Sequence, residues 1–135
     1  MANTKGQIFG INGPVVKVKG SDSFEMQEMV YVGNEELIGE VIGVTSDTTI
    51  VQVYEETTGL KKGEPVVGTG GPLSITLAPG ILSDIFDGIE RPLKEIRNMS
   101  GSFIGRGLKV TNLDERKTWN VEMVAKQGDY VTGGD

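Results

Sequence analysis

From the amino end, apolar and polar residues alternate in short runs. "GQIFGI" leads into "NGP", a turn signal, and then into "VVKVKG". In that second run Val16 and Val18 share one face while Val15, Lys17 and Lys19 share the other, the period-two pattern of a half-buried strand. "MVYVG" and "LIGEVIGVT" flank "NEE", a hairpin turn, and "TIVQVYEE" follows "SD", another turn. Val51 and Val53 face one way in this strand, and Ile50, Gln52 and Tyr54 the other. "TTGLKKGEPVVGTG" supplies turn, strand and turn. Six candidate strands with no helix between them predict a small closed or nearly closed antiparallel barrel over residues 1–70. Closure removes the edges that a small open sheet exposes.

The period then changes. In "ILSDIFDGI", Ile81, Leu82, Ile85, Phe86 and Ile89 fall on one helical face, with Pro79-Gly80 before it and Pro92 to stop it. β signals return in 101–135 with "GLKVT", "TWNVEMVA" and "GDYVTGGD", where the single Trp119 is expected to anchor a small apolar cluster. The predicted fold class is mainly β: a small six-stranded antiparallel β-barrel, one short helix, and a partial β-rich, barrel-sandwich-like segment.

Composition narrows the chemistry. Glycine occupies 20 of 135 positions, which favours tight turns and short strands. The net charge of -6 argues against a nucleic-acid binder, which needs a basic face. Residues 1–70 carry five Lys/Arg against ten Asp/Glu, and residues 71–135 eight against nine, consistent with a boundary near Gly70-Gly71-Pro72. Without Cys there is no disulfide or thiolate metal site, and without His the commonest general base and metal ligand are missing. The amino end has no signal-peptide run, and no stretch approaches the roughly 20 apolar residues of a membrane span. The expectation is a soluble, cytoplasmic chain.

No residues are assigned as catalytic, cofactor-binding or metal-binding. The phosphate-cradling G-x-x-x-x-G-K-[ST] is absent, and "GTGGP" at 68–72 reads as a flexible turn because neither helix nor Lys follows it directly. In "GRG", Arg106 is suited to an anion or a carboxylate, against the plainer reading of a solvated turn. The pairs Glu35-Glu36 and Glu55-Glu56 read as solvated turn charges, since neighbouring strand residues point to opposite faces and cannot share acid–base work across a cleft. Asp84 and Asp87 are expected on the surface of the predicted helix, Asp84 near its positive end.

The block "YEETTGLKKGEPV" followed by "TGGPLSITLAPGILSDIFDGIERPL" resembles the amino-terminal part of the catalytic A subunit of V-type (vacuolar and archaeal-type) rotary ATPases. The resemblance rests on the spacing of Gly59, Gly63, Pro65, Gly70, Pro79, Gly80, Asp87, Gly88, Arg91 and Pro92. It extends to "GQIFGINGPVV", "YVGNEELIGEVI", "FIGRGL" and the closing "GDYVTGGD". The related F-type catalytic subunits share the barrel and the "TGL" turn but lack the insertion that begins near residue 100. The resemblance implies an amino-terminal β-barrel at 1–70, the entry segment and helix of a nucleotide-binding domain at 71–99, and the first part of an inserted bulge module at 100–135, truncated. ATP and Mg then belong to the parent subunit. The P-loop Lys, the catalytic Glu and the adenine pocket have no counterpart in this sequence, so this chain alone is expected neither to bind nor to hydrolyse ATP.

The resemblance further implies B subunits and other subunits of the rotary ATPase as partners, in a cytoplasmic complex peripheral to the membrane and without direct membrane insertion. Self-association of the isolated chain is expected through Ile81, Leu82, Ile85, Phe86 and Ile89. The alternative function is a stand-alone small β-barrel that binds protein or single-stranded nucleic acid; only 8 aromatic residues and an acidic barrel speak against the nucleic acid. A lipoyl- or biotinyl-like carrier needs a Lys at a hairpin tip, whereas Lys126 precedes its turn.

Overall fold

The computed structural model describes residues 5–20, 24–82, 84–114 and 116–134. Its six strands are β1 (Lys5–Asn12), β2 (Val15–Lys19), β3 (Glu28–Val32), β4 (Leu37–Val44), β5 (Thr49–Val53) and β6 (Pro65–Pro72). They pair in the order β1-β2-β5-β4-β3-β6, with β6 returning to β1, so the predicted barrel is closed and antiparallel throughout.

The alternation read along the chain sets which side chains enter the barrel. Val16 and Val18 on β2, and Val51 and Val53 on β5, are all buried. Register carries this across strands: Val16 stands opposite Val51, and Val51 opposite Val41 on β4, so one row of valines runs across three strands. Ile8, Val30, Val32, Leu37 and Val66 complete the interior, with Phe24 at one end. Each such side chain contributes about 1.5–3 kcal/mol on full burial, which makes this row and its neighbours the main stabiliser of the fold. Three register shifts, at Ile8/Gly10, Glu28/Val30 and Val41/Gly43, bend the strands enough to close so small a ring.

"GTGGP" at 68–72 is not a flexible turn; it lies in β6. Glu28 on β3 points inward and is buried, its carboxylate accepting the Gly70 N–H at 2.9 Å and the Glu25 N–H at 2.9 Å. A Cβ at Gly68 would collide with that carboxylate. Gly68 therefore makes room for the buried acid, and Gly70 supplies it with a backbone donor.

The single short helix is present but displaced from the predicted span. Residues 79–81 form one 3-10 turn (Pro79–Ile81), and the α-helix, α1, runs Leu93–Ser100. Pro92 precedes this helix instead of ending an earlier one, its fixed φ being compatible with a helix start. Residues 85–93 form a tight loop: Phe86 bridges Pro92 in antiparallel fashion, and the Leu93 N–H donates to the Ile85 carbonyl at 2.9 Å. The cause is Asp87, whose Oδ1 accepts the N–H groups of Ile89 (3.1 Å) and Arg91 (2.8 Å). Such side-chain bonds compete with helical ones, and Asp-Gly is a strong turn former.

No strand occurs among the described residues beyond β6, so the β-rich segment expected in the tail is not formed. A strand needs a neighbour to take up its ladder bonds. Here Val121, Met123, Val124 and Tyr130 all stand exposed, with no sheet face to bury them. Trp119 is half-buried beside Gly80 and the buried Leu113, in line with the small apolar cluster expected of it.

Candidate functional site

Just past the end of β5, three charged side chains meet under cover. Glu55 follows β5, and Asp87 and Arg91 belong to the tight loop. Arg91 Nη1 lies 2.9 Å from Glu55 Oε2, and Arg91 Nε lies 2.7 Å from Asp87 Oδ2. The side chains of Arg91 and Glu55 are 7% and 5% exposed, so this pair is out of water. Burial opposes the guanidinium charge, but the hydrogen bond to Asp87 and the charges of Glu55 and Asp87 outweigh it and hold the Arg91 pKa above its usual value.

Backbone donors satisfy the remaining oxygens. Glu55 Oε1 accepts the Ile38 N–H of β4 at 3.2 Å, and Oε2 also accepts the Gly107 N–H at 3.0 Å. Glu55 thus joins the barrel, the loop at 87–91 and the "GRG" segment. Among the described residues no buried side-chain polar atom lacks a partner. A cleft of about 320 Å³ opens beside this cluster, with Tyr54, Glu56, Gly88 and Arg106 on its walls.

Glu55 is consequently not the solvated turn charge its sequence context suggests, and Asp87 does not ride on a helix surface. Asp84 is partly exposed and pairs with Lys94 at 2.9 Å. Glu56 is exposed as expected. The Thr58 hydroxyl and then its N–H hold the Glu56 carboxyl below the usual range, with a lesser contribution from Arg106. Glu35 and Glu36 sit in the β3–β4 turn but are paired: Arg106 Nη2 reaches Glu35 Oε1 at 3.0 Å, and Lys109 contacts the Glu36 carboxylate. The Glu36 hydrogen bond and charge raise the Lys109 pKa. Arg106 therefore takes a carboxylate of its own chain. Lys126 lies in an exposed turn closed by Asp129.

Arg91 is the residue that sequence reasoning missed as a participant in chemistry. Its one local signal is the four-residue spacing from Asp87 across Gly88. Among the described residues no cluster of His, Cys, Asp or Glu is arranged to hold a metal ion, and no helix is long and apolar enough to cross a membrane. The arrangement is suited to fixing one part of the chain against another.

Comparison with known proteins identifies the barrel. Residues 8–70 match the β-barrel domain of the ATP synthase alpha/beta family. The chain is 52% identical over 130 residues to the V-type ATP synthase alpha chain 2 of Clostridium tetani, covering 96% of this chain and 22% of that protein. It is 52% identical over 136 residues to the A subunit of the A-type ATP synthase of Methanopyrus kandleri, covering 100% of this chain and 23% of that one. Against the corresponding A subunit of Methanosarcina barkeri the identity is 50% over 131 residues, 97% of this chain and 22% of the relative. The chain thus spans about a fifth of the length of these relatives, and the similarity runs past the barrel through the clamp and the "GRG" segment. The closed barrel coincides with the matched segment, so residues 8–70 form the β-barrel domain of the ATP synthase alpha/beta family.

Proposed function

We propose that the chain is the amino-terminal part of the catalytic A subunit of a V-type or archaeal-type rotary ATPase/ATP synthase, and that its barrel is the structural collar that assembles an alternating A/B ring. The observation that carries this reading is identity of 50–52% to proteins of that name along 96–100% of the chain, beyond the barrel as well as within it. ATP hydrolysis or synthesis, coupled to proton or sodium transport, belongs to the parent subunit with its ATP and Mg. Residues 71–99 are then the entry to a nucleotide-binding domain and 100–135 the first part of a bulge insertion. The partners are B subunits and other subunits of a cytoplasmic, membrane-peripheral complex. A collar must hold the segment below it at a fixed angle, and the Glu55–Arg91 clamp is built for that.

Self-association of the isolated chain belongs to the same proposal, on a smaller surface than a helical stripe. Leu82 and Ile85 are exposed, whereas Ile81, Phe86 and Ile89 are half-buried.

The function is tested by exchange. Residues 1–135 replace the corresponding segment of the Methanosarcina barkeri A subunit, and the chimera is co-expressed with that organism's B subunit. The expected result is a ring by native mass spectrometry that hydrolyses ATP. A chimera that folds but stays apart from the B subunit overturns the collar reading.

A further inference from the structure

After α1 the chain turns back across the barrel, and residues 105–109 are held there by three polar contacts. Arg106 pairs with Glu35 at 3.0 Å and Lys109 with Glu36, both at the β3–β4 turn. Between them the Gly107 N–H donates to Glu55 Oε2 at 3.0 Å, the same oxygen that holds Arg91. The Lys109 amine also stands 5.6 Å from the centre of the Tyr31 ring. The fit is steric as well as electrostatic. Gly107 has φ +60°, and a Cβ there would overlap the Glu35 carbonyl oxygen.

We propose that residues 105–109 form an electrostatic strap that closes over the buried Glu55–Arg91 pair and opens while the barrel stays folded. The inference rests on the contacts themselves and not on the function proposed above. The outer pairs are exposed, at 32% and 52% for Arg106 and Glu35 and at 70% and 49% for Lys109 and Glu36. Pairs of that kind are weak and are screened by salt. The flanking Phe103 and Ile104 are exposed and Leu108 within the strap is only half-buried, so little apolar burial holds the segment down. Lifting the strap breaks one part-buried hydrogen bond, two surface pairs and the Lys109–Tyr31 ring contact. It breaks no ladder bond of the barrel, and it leaves Arg91 still bonded to Glu55 and Asp87 but now hydrated. Segments with few buried contacts open locally at far lower free energy than the whole domain.

The test is amide hydrogen exchange on the full chain, corrected for intrinsic rates. The Gly107 amide is expected to exchange about tenfold faster in roughly 1 M salt than in roughly 50 mM, since the Debye length falls to about 3 Å. Val51 and Val53 on β5 serve as barrel reporters and keep their protection. Glu35→Gln with Glu36→Gln is expected to raise the Gly107 rate about tenfold at low salt and to abolish most of its salt dependence. Glu35→Arg combined with Arg106→Glu restores most of the protection that Arg106→Glu alone removes. Gly107 exchanging at the rate of the barrel amides, or showing no response to salt and to these variants, overturns the proposal. The salt series on the unaltered chain decides the matter even if a variant fails to fold.

Discussion

Arg91 and Glu55 stand 36 residues apart in sequence and 2.9 Å apart in space, both shielded from water. The pair joins the end of β5 to a loop outside the barrel. Without Arg91 the Glu55 and Asp87 carboxylates are left under cover with no cation between them, whereas without Glu55 the arginine still keeps Asp87.

Removing the arginine is therefore expected to cost more than removing the glutamate. Arg91→Met should destabilise the chain by about 3–5 kcal/mol in urea unfolding, and Glu55→Met by less, since Asp87 still pairs with Arg91. The double variant should lose clearly less than the sum of the two, since residues in contact couple. Additive losses in that cycle would mean the two side chains act separately.

Tyr54, on the wall of the cleft beside the clamp, offers a pH probe. Its hydroxyl bonds to the Glu40 carboxylate; that bond, then burial, then the Glu40 charge raise the phenol pKa above its ordinary value. The folded pKa exceeds the unfolded one, so the stabilisation is fully present below the unfolded value of about 10 and is lost as pH rises through the folded value. Ultraviolet titration of the folded chain should show one of its 3 tyrosines ionising late. In Glu40→Gln that tyrosine should ionise earlier. An unchanged titration curve in the variant would remove Glu40 as the cause.

The exposed side chains of Leu82 and Ile85 lie 73% and 67% open, near Ile75 and Leu77 in sequence, which are also exposed. Apolar surface grouped in this way marks an association site. Analytical ultracentrifugation should show the unaltered chain partly dimeric at high concentration, and Leu82→Asp with Ile85→Asp monomeric. If both sediment as monomers, the patch does not mediate self-association.

The barrel is legible in the sequence because its information is local. Val16 and Val18, like Val51 and Val53, occupy alternate positions bounded by turn residues, and period two admits one reading. The loop at 85–93 misleads because Ile81, Leu82, Ile85, Phe86 and Ile89 do satisfy a helical period. The Asp87 carboxylate takes the Ile89 and Arg91 amides and so prevents a helix. That competition is visible only as the Asp-Gly pair at 87–88. The clamp is not legible, since no periodicity records that a glutamate after one strand will be desolvated by an arginine far along the chain. The tail carries strand-like residues such as Val121 and Val124 but has no neighbouring strand to pair with in the described structure.

The return of β6 to β1 has one more consequence. Every strand of the ring already has a neighbour on both sides, so no partner can join it by adding a strand of its own. Whatever meets this barrel must recognise its side chains and turns and not a strand edge. Partner choice can then drift by substitution on the outer positions while the backbone scaffold stays unchanged, and a wrong partner gains no foothold from main-chain pairing.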